Sequence, residues 1–219
     1  MKQFQLNKNV FKSISAVLIM TFSYTADAKT FTTTDGFSIE IPSDWVQIPP
    51  DVTKQYADAI NTASPNTKPM YPNYVFQKNT PENSNWFTYP YIIINVKRTG
   101  KLTETQMKSF GITPTNTRQI KDQVPNFLTN LEISQPQYDP DARIIWLKVG
   151  MEVPDIGRIS GLTSVIPTEY GVVQIQGYTK EADYINYLPT FQKVTESFHA
   201  SEVVRYQNEN SKLQSHISP

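Results

Sequence analysis

A long alternating run near the middle of the chain constrains the fold more than any other feature. Apolar residues occupy every second position from Arg143 to Val153. Successive side chains of a β-strand point to opposite faces, so this pattern predicts a half-buried strand. One face carries Ile145, Leu147, Val149, Met151 and Val153, and the other carries Trp146, Lys148, Gly150 and Glu152.

Two further strands follow at once. The turn Pro154–Gly157 leads into a strand from Arg158 to Ile166, and a second turn leads into a strand from Gly171 to Tyr178. Connections this short join antiparallel neighbours, because parallel pairing needs a crossover of a dozen residues or more. The pattern therefore predicts a three-stranded antiparallel meander.

A C-terminal helix is the predicted cover for the apolar face of this meander. Apolar residues recur at helical spacing from Ala182 to His199, and Pro189 lies among them. Because proline is tolerated in the first turn of a helix, we expect the regular helix to begin near Tyr187. The apolar positions are Tyr184, Tyr187, Leu188, Phe191, Val194 and Phe198.

The N-terminal half predicts a hairpin and a helix. The run Thr30–Pro42 has two β-prone segments around Asp35-Gly36, a dipeptide typical of tight turns. Pro49-Pro50-Asp51 introduces a helix from Val52 to Thr62. Its apolar side consists of Tyr56, Ala59, Ile60 and Ala63.

The middle of the chain alternates between strands, helices and loops. Tyr91–Val96 is nearly continuously apolar and predicts an interior strand. Thr103 is the expected cap of a helix that reaches Phe110. The remaining expectations are loops over 64–72, 79–90 and 135–140, a short strand over 73–78, and a helix from Asn116 or Thr117 to Leu131 with a kink or late start at Pro125.

The two ends of the chain differ from its body. A basic start, an apolar run from Ser13 to Phe22 and the small residues of Ala26-Asp27-Ala28 predict a signal peptide over residues 1–28, cleaved between Ala28 and Lys29. The apolar run is about half of the ~20 residues that span a membrane, so no stable insertion is expected after cleavage. Residues 29–200 form one predicted α+β domain, and residues 201–219 a flexible polar tail.

Composition excludes several function classes. The chain of 219 residues has no cysteine, which rules out thiol catalysis, cysteine-bound metals and a lipid-anchored cysteine. Its 20 basic and 20 acidic residues balance without a long basic run, so nucleic-acid binding is not expected. Its eight glycines are scattered and form no phosphate-binding loop, and no cofactor is predicted.

No catalytic residue or metal site is predicted. His199 is expected at the end of the last helix and His216 in the tail, and no Gly-x-Ser-x-Gly motif accompanies them. Glu152 and Glu169 are the carboxylates considered for a hydrolase, although nothing in the sequence selects them. Asp139, Asp141 and Asp155 offer oxygen atoms to calcium, but their setting favours ordinary turns.

An aromatic segment from Met70 to Tyr91 is the candidate interaction surface. Exposed aromatic clusters often mark binding sites, because rings give a large contact area at low entropic cost. The alternative, which the sequence favours, is that these rings cover the core. The candidate residues are Tyr71, Tyr74, Trp86, Phe87 and Tyr89.

Two motifs at the ends of the domain resemble the PsbP-like family. The N-terminal motif runs from Asp35 to Trp45, where an aromatic-led strand ends in a proline close to a tryptophan. The C-terminal motif runs from Tyr184 to Phe198 and closes on the pair Ser197-Phe198. The resemblance implies an α/β/α sandwich, with a central antiparallel sheet flanked by helices. It implies no catalytic residue.

The resemblance also implies a kind of function. Members of this family include an extrinsic subunit of the photosynthetic oxygen-evolving complex, a nuclear-import factor that binds a small GTPase, and many exported bacterial proteins. The leading hypothesis is an exported, periplasmic or secreted, non-enzymatic protein that binds an unidentified protein partner. The alternatives are an exported hydrolase with a carboxylate-based site and a carrier with an apolar cavity under Met70–Tyr91.

Overall fold

The computed structural model describes residues 27–65, 67, 69–79, 85–110, 125 and 127–207. These residues form eleven strands and three helices. The strands are β1 (Ala28–Thr32), β2 (Phe37–Pro42), β3 (Trp45–Gln47), β4 (Tyr74–Lys78), β5 (Tyr91–Lys97), β6 (Thr129–Ile133), β7 (Gln137–Asp139), β8 (Ile144–Val153), β9 (Gly157–Thr168), β10 (Gly171–Lys180) and β11 (His199–Ala200). The helices are α1 (Pro50–Ala63), α2 (Glu104–Phe110) and α3 (Tyr184–Glu196).

The predicted meander is confirmed and forms the centre of the larger sheet. Strands β8, β9 and β10 pair antiparallel, with Ile145 opposite Val165 and Ser164 opposite Ile175. This sheet has eight strands in the order β3-β4-β5-β10-β9-β8-β6, and β7 also pairs with β8. All of its described pairs are antiparallel, so the protein is dominated by antiparallel sheet.

The predicted interior strand and hairpin are also confirmed. Strand β5 lies between β4 and β10, and its Ile92 and Ile94 are fully buried. Strands β1 and β2 form a hairpin around Gly36, whose φ of 84° is readily adopted only by glycine. This hairpin and β11 make a second, three-stranded sheet.

The main core lies between helix α3, strand β2 and one face of the large sheet. The ring of Phe191 from α3 packs edge-on against Trp45, with 6.5 Å between ring centroids. Burying a large apolar side chain of this kind stabilises the fold by roughly 1.5–3 kcal/mol. The buried residues of this cluster are Phe37, Ile39, Ile41, Trp45, Phe76, Ile92, Ile94, Ile144, Ile166, Val173, Ile175, Phe191 and Val194.

Helix α3 covers the face of β8 opposite to the predicted one. On β8, Ile144 and Trp146 belong to the cluster under α3, and the amine of Lys148 lies 4.7 Å from the ring centroid of Tyr184. Val149 and Met151 instead pack in a second cluster with Ile159 and with Tyr89, Leu128, Leu131, Leu147, Val153 and Tyr178. The prediction failed because this part of the sheet buries apolar side chains on both faces.

The start of α3 is a second correction. The helix begins at Tyr184, after a 3-10 turn over Glu181–Asp183, so Pro189 lies in its interior and not in its first turn. Proline has no N–H to donate to the carbonyl four residues earlier, which belongs to Ile185. Ile185 itself is 74% exposed.

Other expectations met mixed outcomes. Thr103 caps α2 as predicted, because its Oγ1 accepts the N–H of Gln106 while the Gln106 side chain accepts the N–H of Thr103. The predicted loop over 135–140 contains strand β7, and Thr129–Leu131, predicted as helix, belong to strand β6. The rest of that predicted helix falls largely on residues 116–124 and 126, outside the described residues.

The chain remains packed beyond the predicted domain boundary at residue 200. Tyr206 is 6% exposed, and its hydroxyl donates a hydrogen bond of 2.8 Å to the carbonyl of Leu102. The amine of Lys101 lies 4.7 Å from the centroid of the same ring. The packed part therefore extends at least to Gln207, and residues 208–219 of the predicted tail lie outside the described residues.

Candidate interaction surface around helix α1

Helix α1 exposes the apolar side that its sequence pattern marks. The buried residues of this helix are Thr53 and Ala57. Tyr56 is 45% exposed and Ile60 36% exposed, and Ala59 and Ala63 are exposed as well. Helical spacing shows which residues share a side of a helix, but not which side meets the core.

Tyr71, a candidate from the aromatic segment, lies against one flank of α1. Its hydroxyl donates a hydrogen bond of 2.9 Å to Asp58 of the helix, and its side chain is 52% exposed. The amine of Lys54, one turn earlier, lies 2.6 Å from the other carboxylate oxygen of Asp58. These two bonds lower the pKa of Asp58, with the Lys54 contact as the larger cause. The Tyr71 ring is thus held in place while one side remains in solvent.

Phe87, a second candidate, lies against the other flank of α1. Its ring stacks on Tyr56 with 4.1 Å between centroids and 22° between planes. The buried side chain of Gln77 holds the Phe87 backbone, since its Oε1 accepts the N–H of Phe87 at 2.7 Å. The neighbouring Trp86 is 37% exposed. Gln77 and Tyr56 were not among the candidates, and only the tertiary contacts reveal their part.

Tyr89 connects this flank to the sheet. Its ring lies 4.9 Å from that of Tyr91, which in turn lies 5.8 Å from Tyr178 on strand β10. Burial raises the pKa of all three phenols, in Tyr178 to about 12, so they remain neutral at physiological pH. Tyr89 is half-buried and belongs to the second cluster of the core.

The ring of Tyr74 packs on the sheet face that meets α3. Its ring packs edge-on against Phe31 and Phe37, at 5.4 and 6.2 Å between centroids. Its hydroxyl donates a hydrogen bond of 2.8 Å to Asp35, which also binds Arg98 at 3.1 Å. Of the five candidates, Tyr71 and Trp86 are therefore exposed. The other three, Tyr74, Phe87 and Tyr89, are half-buried.

A groove of about 340 Å³ lies between α1 and the start of β4. Tyr71 and Tyr74 both line it, and the buried Ile48 and Val75 contribute apolar side chains. A groove of this volume falls at the lower end of the range for small-molecule sites, roughly 300–1,000 Å³. The other lining residues are Gln47, Pro50, Thr53, Lys54, Pro72 and Asn73.

We use the name α1 surface for the exposed apolar side chains on this helix and its two flanks. They are Tyr56 and Ile60 on the helix, Met70 and Tyr71 on one flank, and Trp86 on the other.

The carboxylates considered for a hydrolase do not meet. Glu152 lies opposite Arg158, next to the turn between β8 and β9, and Glu169 lies in the turn between β9 and β10. The length of β9 separates them by roughly 30 Å, given the rise of a strand. Glu169 forms an ion pair of 2.9 Å with Lys101. The two side chains cannot act on one substrate bond.

The remaining sequence candidates have local partners or lie elsewhere. Asp139 accepts the N–H groups of Asp141 and Ala142 at 2.9 and 3.1 Å, as in a turn, and Asp155 lies at the far end of β8. His199 lies in β11 opposite Ser38, beyond the end of α3, and is exposed. His216 lies outside the described residues.

The predicted cleavage site lies at the start of β1. Ala28 is opposite Pro42 and Lys29 is opposite Ile41 in the ladder with β2. Residues 1–26 of the predicted signal peptide lie outside the described residues. In the described part of the chain, each helix is too short or too polar to cross a membrane.

Comparison with known proteins finds similarity in structure only. No family model and no curated protein matches the sequence significantly. The structure is similar to the solution structure of cyanobacterial PsbP (CyanoP) from Synechocystis sp. PCC 6803, with a TM-score of 0.45 and 18% identity, over 82% of this chain and 96% of that chain. It is also similar to the crystal structure of LpqN, involved in cell envelope biogenesis of Mycobacterium tuberculosis, with a TM-score of 0.38 and 14% identity, over 80% of this chain and 91% of that chain.

The first of these structures is a PsbP protein, so the family that the two end motifs resemble also appears among the structural similarities. Both likenesses concern the fold at low identity. Neither assigns a role to a residue of this chain.

Proposed function

We propose that this chain is an exported, non-enzymatic accessory protein of the bacterial envelope that binds a partner protein through the α1 surface. The observation that carries the proposal is the exposed apolar side of α1. Burying Tyr56 and Ile60 against a partner would remove from water an apolar area that the protein's own core leaves uncovered.

The flanking residues add rigid aromatic contacts to this surface. Tyr71 is held by Asp58, and the backbone beside Trp86 is held through Gln77 and Phe87. Side chains that are ordered before binding lose less conformational entropy on association. Tyrosine and tryptophan are also the residue types most often found at the energetic centre of interfaces.

The export part of the proposal rests on the N-terminal sequence. A basic start, a short apolar run and the small residues before Lys29 are typical of a cleaved signal peptide. The mature chain would then be released into the periplasm or the medium as a soluble protein.

A matched pair of exposed isoleucines tests the interaction. Ile60 lies in the α1 surface, whereas Ile185 is an exposed isoleucine on α3. We expect affinity capture from the native envelope fraction to recover one defined protein with the unchanged chain. Capture should persist with Ile185→Asp and fall about tenfold or more with Ile60→Asp, because a charge would be buried at the interface.

Equal recovery by both variants would show that α1 does not form the interface. Unchanged thermal unfolding of both variants is the control for folding, since each substitution replaces an exposed side chain.

A small-ligand carrier is the second candidate, and the groove beside α1 favours it. Its volume, its apolar lining residues and the fixed ring of Tyr71 suit a small apolar or aromatic ligand. A thermal-shift screen against envelope metabolites should then give a ligand that stabilises the unchanged chain but not Tyr71→Ala. If no compound raises the melting temperature of the unchanged chain, the carrier proposal fails.

We also propose that helices flank the large sheet on both faces. The support is that Tyr56 of α1 stacks on Phe87, which contacts Tyr91 on the sheet face opposite α3. An experimental structure tests this, because α1 should lie on the sheet face opposite α3. A cover without helix would contradict the sandwich.

A further inference from the structure

Strand β1 carries free hydrogen-bonding groups along its outer edge. The carbonyl of Asp27 accepts the N–H of Ser43 at 2.7 Å, and the N–H of Thr33 donates to the carbonyl of Phe37 at 2.9 Å. Hydrogen-bonded pairs alternate along an antiparallel ladder, so odd-numbered residues of β1 bind β2. Ala28, Thr30 and Thr32 therefore direct their N–H and C=O groups away from β2.

No described strand pairs with this outer edge. Ala28, Lys29, Thr30 and Thr32 are exposed, while Phe31 is half-buried against the rings of Tyr74 and Phe76. A row of unpaired N–H and C=O groups on an ordered strand is a template for another strand. Pairing with β2 and the contacts of Phe31 keep strand β1 extended in the unbound protein.

We propose that a second copy of this chain pairs with β1 across a twofold axis at Thr30. In this register Thr30 lies opposite Thr30 of the second copy, and Ala28 lies opposite Thr32 of the second copy. These are the residues whose backbone groups point outward, so the donors of each strand meet the acceptors of the other. Such a contact is isologous and closes as a dimer.

The side chains of the strand suit the same register. Lys29 lies opposite Phe31 of the second copy, where its ammonium group meets a partly exposed ring rather than another lysine. The central threonines lie opposite each other, a pairing that stabilises antiparallel strands. No like charges are opposed in this register, so charge repulsion does not act against the pairing.

The expected dimer is weak and depends on concentration, because the strand is short. The predicted cleavage after Ala28 would keep the central Thr30 pair but remove the outer pairs between Ala28 and Thr32. The contact uses neither the α1 surface nor its partner, so it does not depend on the proposed interaction. It depends on the export proposal only through the cleavage after Ala28.

Sedimentation equilibrium of the chain expressed from the full sequence, at micromolar to millimolar concentrations, tests the pairing. We expect a reversible monomer–dimer equilibrium. Thr30→Pro should raise its dissociation constant about tenfold or more, because proline lacks the outward N–H and its ring occupies that space. Thr30→Val keeps the N–H and should preserve the dimer.

Amide hydrogen exchange identifies the interface. Exchange at Thr30 should slow as the protein concentration rises, whereas the amide of Phe31, which binds β2, should exchange at a rate independent of concentration. A monomer at all concentrations would refute the proposal. A dimer that Thr30→Pro leaves intact would refute it too, provided that the variant melts at the same temperature as Thr30→Val.

Discussion

Phe87 donates its backbone N–H to the side chain of Gln77 in a hydrogen bond of 2.7 Å. Gln77 is 2% exposed in the sheet, and its side-chain amide also donates to the carbonyl of Asn85 at 3.3 Å. Phe87 has a φ of 61°, a left-handed conformation that is uncommon for a bulky residue. One buried amide therefore holds a strained backbone segment and places the ring that stacks on α1.

Removing this amide should loosen the flank of the α1 surface. We expect Gln77→Leu to lower the free energy of unfolding by about 1–3 kcal/mol, because the Phe87 N–H loses its acceptor. Chemical denaturation measures the loss, and faster hydrogen exchange at Phe87 locates it. Gln47→Leu, at an exposed glutamine, should stay within about 0.5 kcal/mol. Equal losses in the two variants would contradict a special role of Gln77.

Gly177 provides the space into which helix α3 packs. A β-carbon at Gly177 would lie 2.3 Å from the ring of Phe191, while one at Gly150 would lie 2.9 Å from the guanidinium end of Arg158. We expect Gly177→Ala to destabilise the fold by about 1–3 kcal/mol, because the buried ring of Phe191 has no free space into which it can move. Gly150→Ala should cost less than about 1 kcal/mol, since a flexible side chain can move.

Thermal or chemical unfolding of both glycine variants measures this difference. Both glycines lie in strands, so the backbone contribution of alanine is similar in the two. A larger loss of stability for Gly150→Ala than for Gly177→Ala would show that the contact with Phe191 does not make Gly177 the more restricted position.

The half-buried Tyr178 predicts a loss of stability in alkali. Burial raises the pKa of Tyr178 from 10.0 to about 12, so the folded protein holds a proton that the unfolded chain has released. This contribution is complete below pH 10 and is lost as the pH rises from about 10 to about 12. The slope from this group is at most about 1.4 kcal/mol per pH unit.

Unfolding free energies measured between these two pH values test the assignment. Tyr178→Phe removes the titrating group, so its stability should fall less steeply with pH than that of the unchanged chain. Parallel curves for the two proteins would show that Tyr178 does not titrate with unfolding.

Export predicts a defined N-terminus. We expect the processed chain to begin at Lys29, which the mass of the intact exported protein reports. Ala28→Arg should block cleavage, because the residue before the cut must be small, and the chain should retain its N-terminal segment. Asp27→Asn, one position earlier, changes a residue that the pattern does not restrict and should be processed normally. An unprocessed chain without substitutions would contradict the signal peptide.

Local sequence patterns predicted most of the elements. Period-two alternation indicated β8, β9 and β10, the dipeptide Asp35-Gly36 indicated the β1–β2 hairpin, and Thr103 indicated the start of α2. These signals depend on residues close together in the chain, so they persist whatever the rest of the fold does. Strand β7 was missed because three residues are too few to show a period.

The candidate site was only partly predictable. Its aromatic segment stood out in the sequence, but Tyr74 turned into the core under α3 while Tyr71 and Trp86 remained exposed. Gln77 has no sequence signal, since a glutamine in a strand usually faces solvent. Gln77 is buried because the loop that contains Phe87 packs over the sheet. The backbone N–H of Phe87 then needs a hydrogen-bond acceptor, which the Gln77 side chain provides.

The sequence by itself determined which residues share a side of each strand and helix, because that depends only on the period of the local backbone. The tertiary structure alone decided which side meets the core. It placed α3 over the Trp146 side of β8 and left Tyr56 and Ile60 of α1 in solvent. Which side is buried depends on how elements distant in sequence pack against the same apolar area. The periodicity of a local segment carries no information about that packing.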